Sequence, residues 1–158
     1  MALITPVKGN TPISRYFDVC ELVCPANTGE NTLLTITLPA KILGKRGSIE
    51  IYSWWDCTNN VNAKTPRIKF GGTNLLTGVM ASTAMFSDRR VIMNRNAWNS
   101  QRTFGYVGTG GWHTGSTASS TMAIDTSATV DVVFTAQLGV GTDTLTLQAY
   151  DIHITHRT

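Results

Sequence analysis

The side chains that could do chemistry here are histidine, cysteine, carboxylate and tryptophan, and their spacing sets the first constraint. The histidines are His113, His153 and His156. His153 and His156 lie near the end of an extended run with opposite parity, so they face opposite sides and cannot share a metal there. His113 has no cysteine or carboxylate beside it in sequence. On a strand, Cys20 and Cys24 would be about 13 Å apart, beyond the roughly 7 Å that a disulfide tolerates between Cα atoms. With Cys57 they have no zinc-finger spacing and read as three buried, reduced thiols. No metal site and no cofactor are expected.

Catalytic patterns are equally sparse. There is no Gly-x-Ser-x-Gly elbow, no P-loop and no dinucleotide fingerprint after a strand. Gly108-Thr109-Gly110-Gly111 is glycine-rich, but no helix follows to offer its N-terminus to a phosphate. Glu21, Glu30, Glu50, Asp56, Asp125 and Asp131 could meet in space as a glycosidase pair, yet nothing in their spacing singles out two of them. The chain is read as a protein that binds and builds, not an enzyme.

Aromatic residues carry more information. Trp54 and Trp55 are adjacent on an extended run, so one indole faces the core and the other faces out or into a neighbour, unless the sheet is buried on both faces. Trp98 lies within Asn94-Arg95-Asn96-Ala97-Trp98-Asn99-Ser100-Gln101, and Trp112 with His113 lies within a glycine-rich stretch. An amphipathic ring among Asn, Ser and Arg suits a recognition surface, and Trp98, Trp112 and His113 are the candidate outward-facing set. Pinning a long loop onto the body of the fold is an equal alternative. The Asn-rich stretch Asn59–Thr65 reads as a turn with too few carboxylates for calcium.

The elements that must position these residues are strands. Leu34, Ile36 and Leu38 alternate with threonines; Ile49 and Ile51, Ile68 and Phe70, Val130 to Leu138, and Leu145 to Ala149 alternate in the same way. Period two with one apolar face is the pattern of antiparallel sheets packed on one side. No window keeps a capped helical period. Glycine-rich turns separate the runs, and the one at Gly139–Asp143 is expected to join Val130–Leu138 and Thr144–Thr155 as a hairpin. In the last strand the apolar parity changes between Leu147 and Tyr150, which a one-residue bulge near Ala149 or burial on both faces would reconcile. Repeated short strands without helices imply a sandwich or barrel.

Two stretches stand apart. Residues 1–15 combine turn formers with the apolar Leu3, Ile4, Val7 and Ile13 and read as an extended N-terminal arm, leaving residues 16–158 as one domain. Residues 105–121 read as one long surface loop.

Composition narrows the partners. The chain of 158 residues carries 15% charged side chains and a net charge of +3, against roughly 25% charged in ordinary soluble domains. Lys45-Arg46 and Arg89-Arg90 read as short turn-like pairs, not as a nucleic-acid footprint. No apolar run is long enough for a membrane-spanning helix, and residues 1–6 lack the pattern of a secretory leader, so synthesis in the cytoplasm is expected. Few charges on a β-protein suggest that much of its surface is covered by something else.

The segments Gly47–Trp55, Asn59–Thr65 and Lys69–Thr73, followed by Asn94-Arg95-Asn96, Asn99-Ser100-Gln101 and a closing Asp125-Thr126-Ser127 strand pair, together resemble the small jelly-roll structural domains of tailed-bacteriophage virions. Such domains occur in capsid decoration (cement) proteins and in head or tail fibres. The resemblance covers roughly residues 30–155 and implies an all-β, antiparallel jelly-roll-type sandwich. It also implies a homotrimer on the capsid exterior of a virion, bound to the major capsid protein or another virion protein. In the decoration reading the arm anchors the trimer to the shell through Leu3, Ile4, Val7 and Ile13. In the alternative, a head- or tail-fibre module meets a host surface glycan or protein through the loop at Trp112 and His113. No repeat or coiled coil precedes the domain, which favours decoration.

Overall fold

The computed structural model describes residues 13–107 and 119–158. Ten strands run β1 (Ile13–Val23), β2 (Asn31–Leu38), β3 (Ser48–Cys57), β4 (Lys64–Phe70), β5 (Thr73–Thr77), β6 (Met85–Asn94), β7 (Gln101–Val107), β8 (Ser120–Met122), β9 (Val130–Leu138) and β10 (Leu145–Thr155). They form a six-stranded sheet of order β1-β10-β3-β6-β7-β8 and a four-stranded sheet of order β2-β9-β4-β5. All pairings are antiparallel.

The pairs β1 with β10, β2 with β9, β3 with β6 and β4 with β5 are nested. The chain therefore behaves as one long ribbon, folded at the β4–β5 turn and wrapped around a core, with β7 and β8 inserted on its return half. That is the jelly-roll arrangement. Wrapping explains why Gly139–Asp143 makes no hairpin: β9 pairs with β2 and β4, β10 with β1 and β3. The turn carries the chain across from one sheet to the other.

The core fills the space between the sheets. Ile49, Ile51 and Trp55 of β3, Ile68 and Phe70 of β4, Val132 and Phe134 of β9, and Leu145, Leu147 and Ile152 of β10 are all essentially sealed from solvent. Each belongs to the inward parity of its strand, as alternation requires. The parity change in the last strand is a bulge: Leu147 pairs with Trp55 and Ala149 with Trp54, leaving Gln148 as the extra residue. All three cysteines are free thiols, with Cys24 and Cys57 buried and Cys20 half-buried. Burial raises the pKa of each.

Several local expectations shift. β1 opens at Ile13, so Ile13, Ser14 and Arg15 pair with Thr155, Ile154 and His153 inside the domain; residues 1–12, including Leu3, Ile4 and Val7, lie outside the described residues. The Arg89-Arg90 pair sits mid-strand in β6, not in a turn. Alternation separates the two: Arg89 faces out to Glu50 (2.8 Å), and Arg90 turns inward to clasp Asp88 through Nε (2.7 Å) and Nη2 (2.8 Å). The expected long loop at 105–121 is strand at both ends, in β7 and β8. Asp125–Ser127 is a turn and not a strand, because Asp125 Oδ1 accepts from Ser127 N at 2.9 Å and closes the chain on itself. Gly44 has φ +68, and a Cβ there would collide with the Arg157 carbonyl, so only glycine fits where the β2–β3 loop meets the chain end.

Candidate functional site

Strand register assembles the first candidate surface. Trp55 is buried at 1% exposure and donates its indole N–H to Ser53 Oγ at 2.9 Å, whereas Trp54 points outward at 38% exposure. The outward residues of the six-stranded sheet then fall into rows. Arg15, His153, Glu50 and Val91 form one, and Phe17, Asp151, Tyr52 and Arg89 the next. Val19, Ala149, Trp54 and Ser87 follow, and then Val23, Thr146, Asp56 and Met85.

The middle of this face is a polar lattice. Arg15 grips Asp151 with two bonds of 2.7 and 2.6 Å, and His153 Nε2 lies 3.0 Å from the same carboxylate. Glu50 accepts from Arg89 at 2.8 Å and from the Tyr52 hydroxyl at 2.9 Å. Burial alone would raise both carboxyls, but the hydrogen bonds from Arg15 and His153 on Asp151, and from Arg89 and Tyr52 on Glu50, hold them below the ordinary range. Tyr52 stacks on Trp54 with centroids 6.3 Å apart, and the Arg89 guanidinium lies 5.5 Å from the Tyr52 ring centre. These contacts hold the rings of this row against one another.

At one end the lattice gives way to apolar surface. Val19 (67%), Val23 (59%), Trp54 (38%) and Met85 (68%) are exposed in adjacent rows, with Phe17 beside them. Thr146 and Asp56 lie between Val23 and Met85, and exposed apolar side chains grouped in this way mark an interaction surface more than singly scattered ones do.

The second candidate is a cleft at the end of the sandwich around Trp98. It holds about 490 Å³ and is lined by Lys45, Asn96, Ala97, Trp98, Asn99, Ala123, Asp125 and Ser127. Its floor is pinned by a buried amide network. Gln101 Nε2 donates to Asn94 Oδ1 (2.9 Å), Trp98 O (3.0 Å) and Ile124 O (3.0 Å), while Asn94 Nδ2 donates to Gly44 O (2.7 Å) and Thr126 Oγ1 (2.9 Å). The Trp98 carbonyl also accepts from Thr126 N at 2.9 Å and Oγ1 at 2.8 Å. Asn96 adopts φ 59, a left-handed conformation that asparagine tolerates. Hydrogen bonds from Ser127 lower the Asp125 pKa, so the cleft carries a carboxylate opposite the Lys45 cation.

Of the outward set read from sequence, the structure places Trp98 half-buried in this cleft; Trp112 and His113 lie outside the described residues. Ile13 stands at the start of β1. No local pattern links Lys45 and Asp125 to Trp98, since they arrive from the β2–β3 and β8–β9 connections and only the fold unites them. Phe17 and Val19 escaped because Tyr16 and Cys20, on the opposite parity of β1, are also apolar, which erases the alternation. The candidate carboxylates are engaged separately: Glu30 with Lys69, Glu50 with Arg89, Asp131 with Thr37 and Asp125 with Ser127. Among the described residues no three His, Cys, Asp or Glu side chains gather in metal-binding geometry. His156 bonds the Ile42 carbonyl at 2.9 Å, apart from His153.

No family model matches this chain, and no curated protein sequence does. Among solved structures it is similar to dimeric latent PorU from Porphyromonas gingivalis, with a TM-score of 0.49, 10% identity, and 98% of this chain but 13% of that one covered. It is similar to lectin II from Ulex europaeus, with a TM-score of 0.39, 11% identity, and 98% and 86% of the two chains covered. A third likeness is to the CBM2 module of the evolved Dit of Lactobacillus casei BL23 phage J-1, with a TM-score of 0.40, 8% identity, and 78% and 69% covered. The chain thus spans a small part of the length of PorU, and scores of this size leave the fold resting on its own strand pairings.

Proposed function

We propose that this chain is a structural protein of a bacteriophage virion, a jelly roll that associates with copies of itself as a trimer and decorates the capsid shell. One observation carries the reading: beside the ring lattice the outer face of the six-stranded sheet exposes Phe17, Val19, Val23, Trp54 and Met85 in three adjacent rows, interrupted by Thr146 and Asp56. Such a patch is covered in a working assembly. Cyclic closure of identical copies buries it without leaving an open end. The low charge of the whole sequence and its resemblance to virion jelly rolls point the same way. The proposal includes no catalytic step. Residues 1–12, with Leu3, Ile4 and Val7, are the segment proposed to reach the shell, and Ile13 belongs with β1.

The test is the mass of the purified protein in solution, followed by co-sedimentation with empty capsids. A trimer that pellets with shells supports the reading; a monomer that stays in the supernatant overturns it. Because β1 starts at Ile13, the informative truncation removes residues 1–12, which should abolish pelleting while leaving the trimer intact.

The Trp98 cleft supports a second reading, a fibre module that meets a host glycan. An indole beside Asn96, Asn99, Asp125 and Lys45 offers a stacking face with donors and acceptors around it. Saturable binding to one sugar on a glycan array, lost in Trp98→Ala, would favour this reading over decoration.

A further inference from the structure

The Asn-rich connection between β3 and β4 holds a cluster that neither surface uses. Lys64 is completely buried, and it makes no ion pair among the described residues. Its Nζ reaches the Asn60 side-chain Oδ1 at 2.9 Å and the Asn60 main-chain carbonyl at 3.2 Å. Asn60 Nδ2 donates in turn to Asp143 Oδ1 at 2.7 Å. Asp143 is itself 7% exposed, and its Oδ2 is buried with no hydrogen-bond partner. A buried ammonium without a counter-charge and a buried carboxylate oxygen without a donor are both costly.

The arrangement has the parts of an acyl transfer. The amine is the nucleophile: with Nζ 2.9 Å from Oδ1 and a C=O bond of about 1.23 Å, the amide carbon lies within about 4 Å of it. The Asn62 main-chain N–H donates to the same Oδ1 at 3.1 Å, where negative charge would gather on a tetrahedral intermediate. Asp143 sits on the amide nitrogen, which is the leaving group.

We propose that Lys64 and Asn60 form an intramolecular isopeptide bond, with Asp143 positioned against the departing nitrogen. The Nζ–Cγ bond forms and the Cγ–Nδ2 bond breaks. Of the three ammonium protons one stays on the new amide and two pass to the departing nitrogen within the tetrahedral intermediate, where Nζ and Nδ2 share Cγ; Asp143 Oδ1 holds that nitrogen at 2.7 Å, and it leaves as an ammonium ion. Starting from the lysine ammonium, the products are a secondary amide and an ammonium ion, so atoms and charge balance with no oxidant and no co-reactant. The bond removes the buried charge of Lys64 and ties the start of β4 to the preceding loop. That loop is also fastened to the β9–β10 turn through the Asn60–Asp143 contact and to Ser82, whose N–H donates to the Asn60 carbonyl at 2.6 Å.

Intact mass and tryptic mapping of the purified wild-type chain test this directly. The peptide spanning residues 47–67 should appear uncleaved after Lys64 and about 17 Da light, the mass of ammonia. Cleavage at Lys64 with full mass overturns the proposal. So does a 17 Da loss with normal cleavage at Lys64, since that marks a succinimide at an asparagine instead. Lys64→Arg should restore the full mass expected for that variant, and Asp143→Asn should leave the linkage unformed or forming many-fold more slowly. An Asp143→Asn chain that links as completely as wild type would remove Asp143 from the reaction.

Discussion

The two sheets present opposite outer faces. The four-stranded sheet shows Thr35 and Thr37 of β2, Arg67 and Lys69 of β4, and Asp131 and Gln137 of β9, with Glu30 bridging Lys69 and Arg67 and accepting from Thr135 at 2.6 Å. The six-stranded sheet shows an aromatic and ionic lattice that ends in exposed valine, tryptophan and methionine. Both sheets bury comparable aliphatic rows inward, so the core does not account for the difference. A face meant for water needs short hydroxyl and charged side chains, whereas one meant to be covered can keep its apolar surface. The contrast separates the side of the jelly roll that suits solvent from the side that suits a partner.

The largest effect should come from charging the apolar face. Val19→Asp combined with Trp54→Asp should convert the proposed trimer to monomer by light scattering, a loss of at least about 2 kcal/mol per interface. Thr35→Asp with Val133→Asp on the other sheet should leave the mass unchanged; equal dissociation by both pairs would erase the distinction between the faces. Next comes the adjacent tryptophan pair. Trp55→Ala should lower the unfolding free energy by about 3–5 kcal/mol in denaturant melts, because it opens a core cavity and strands Ser53. Trp54→Ala, measured on monomeric protein, should cost only about 1 kcal/mol. Smaller still is Glu30→Gln, which breaks half-exposed pairs on the solvent-facing sheet and should change stability by less than about 1 kcal/mol.

Acid should act in part through the lattice. Glu50 and Asp151 have folded pKa values below their ordinary 4.5 and 3.8. Each therefore adds stability above its ordinary value, and that stability is lost as pH falls through the lower folded value. Asp88 works with the opposite sign, because burial raises its pKa and outweighs the pairing with Arg90; its protonation favours the folded state as pH falls. A melting series from pH 6 to pH 2 should show loss beginning near pH 4–5, and a shallower loss in Glu50→Gln. An unchanged profile in that variant would mean that the lattice does not contribute.

Legibility followed burial. β2, β3, β4, β9 and β10 could be read from alternation because one face of each is sealed and the other wet, as with Ile49 and Ile51 against Glu50 and Tyr52. The changed parity beyond Leu147 was visible for the same reason, but it left a bulge and burial on both faces equally open, and the pairing decides for the bulge at Gln148. β1 and β6 were obscured, since Phe17, Val19 and Met85 put apolar side chains on the outer face while Asp88 and Arg90 put charges on the inner one.

What the sequence determined by itself is the class of fold and the inward parity of its best strands, since alternation is a local consequence of a pleated backbone beside a dry core. It set Trp54 and Trp55 on opposite faces as a matter of parity, without saying which was buried. The tertiary structure alone decided how the ribbon wraps, so that the Gly139–Asp143 turn crosses between sheets. It alone joined Trp98 to Lys45 and Asp125, and Asp143 to Asn60 and Lys64, because contacts between residues tens of positions apart depend on strand order, which local pattern does not encode.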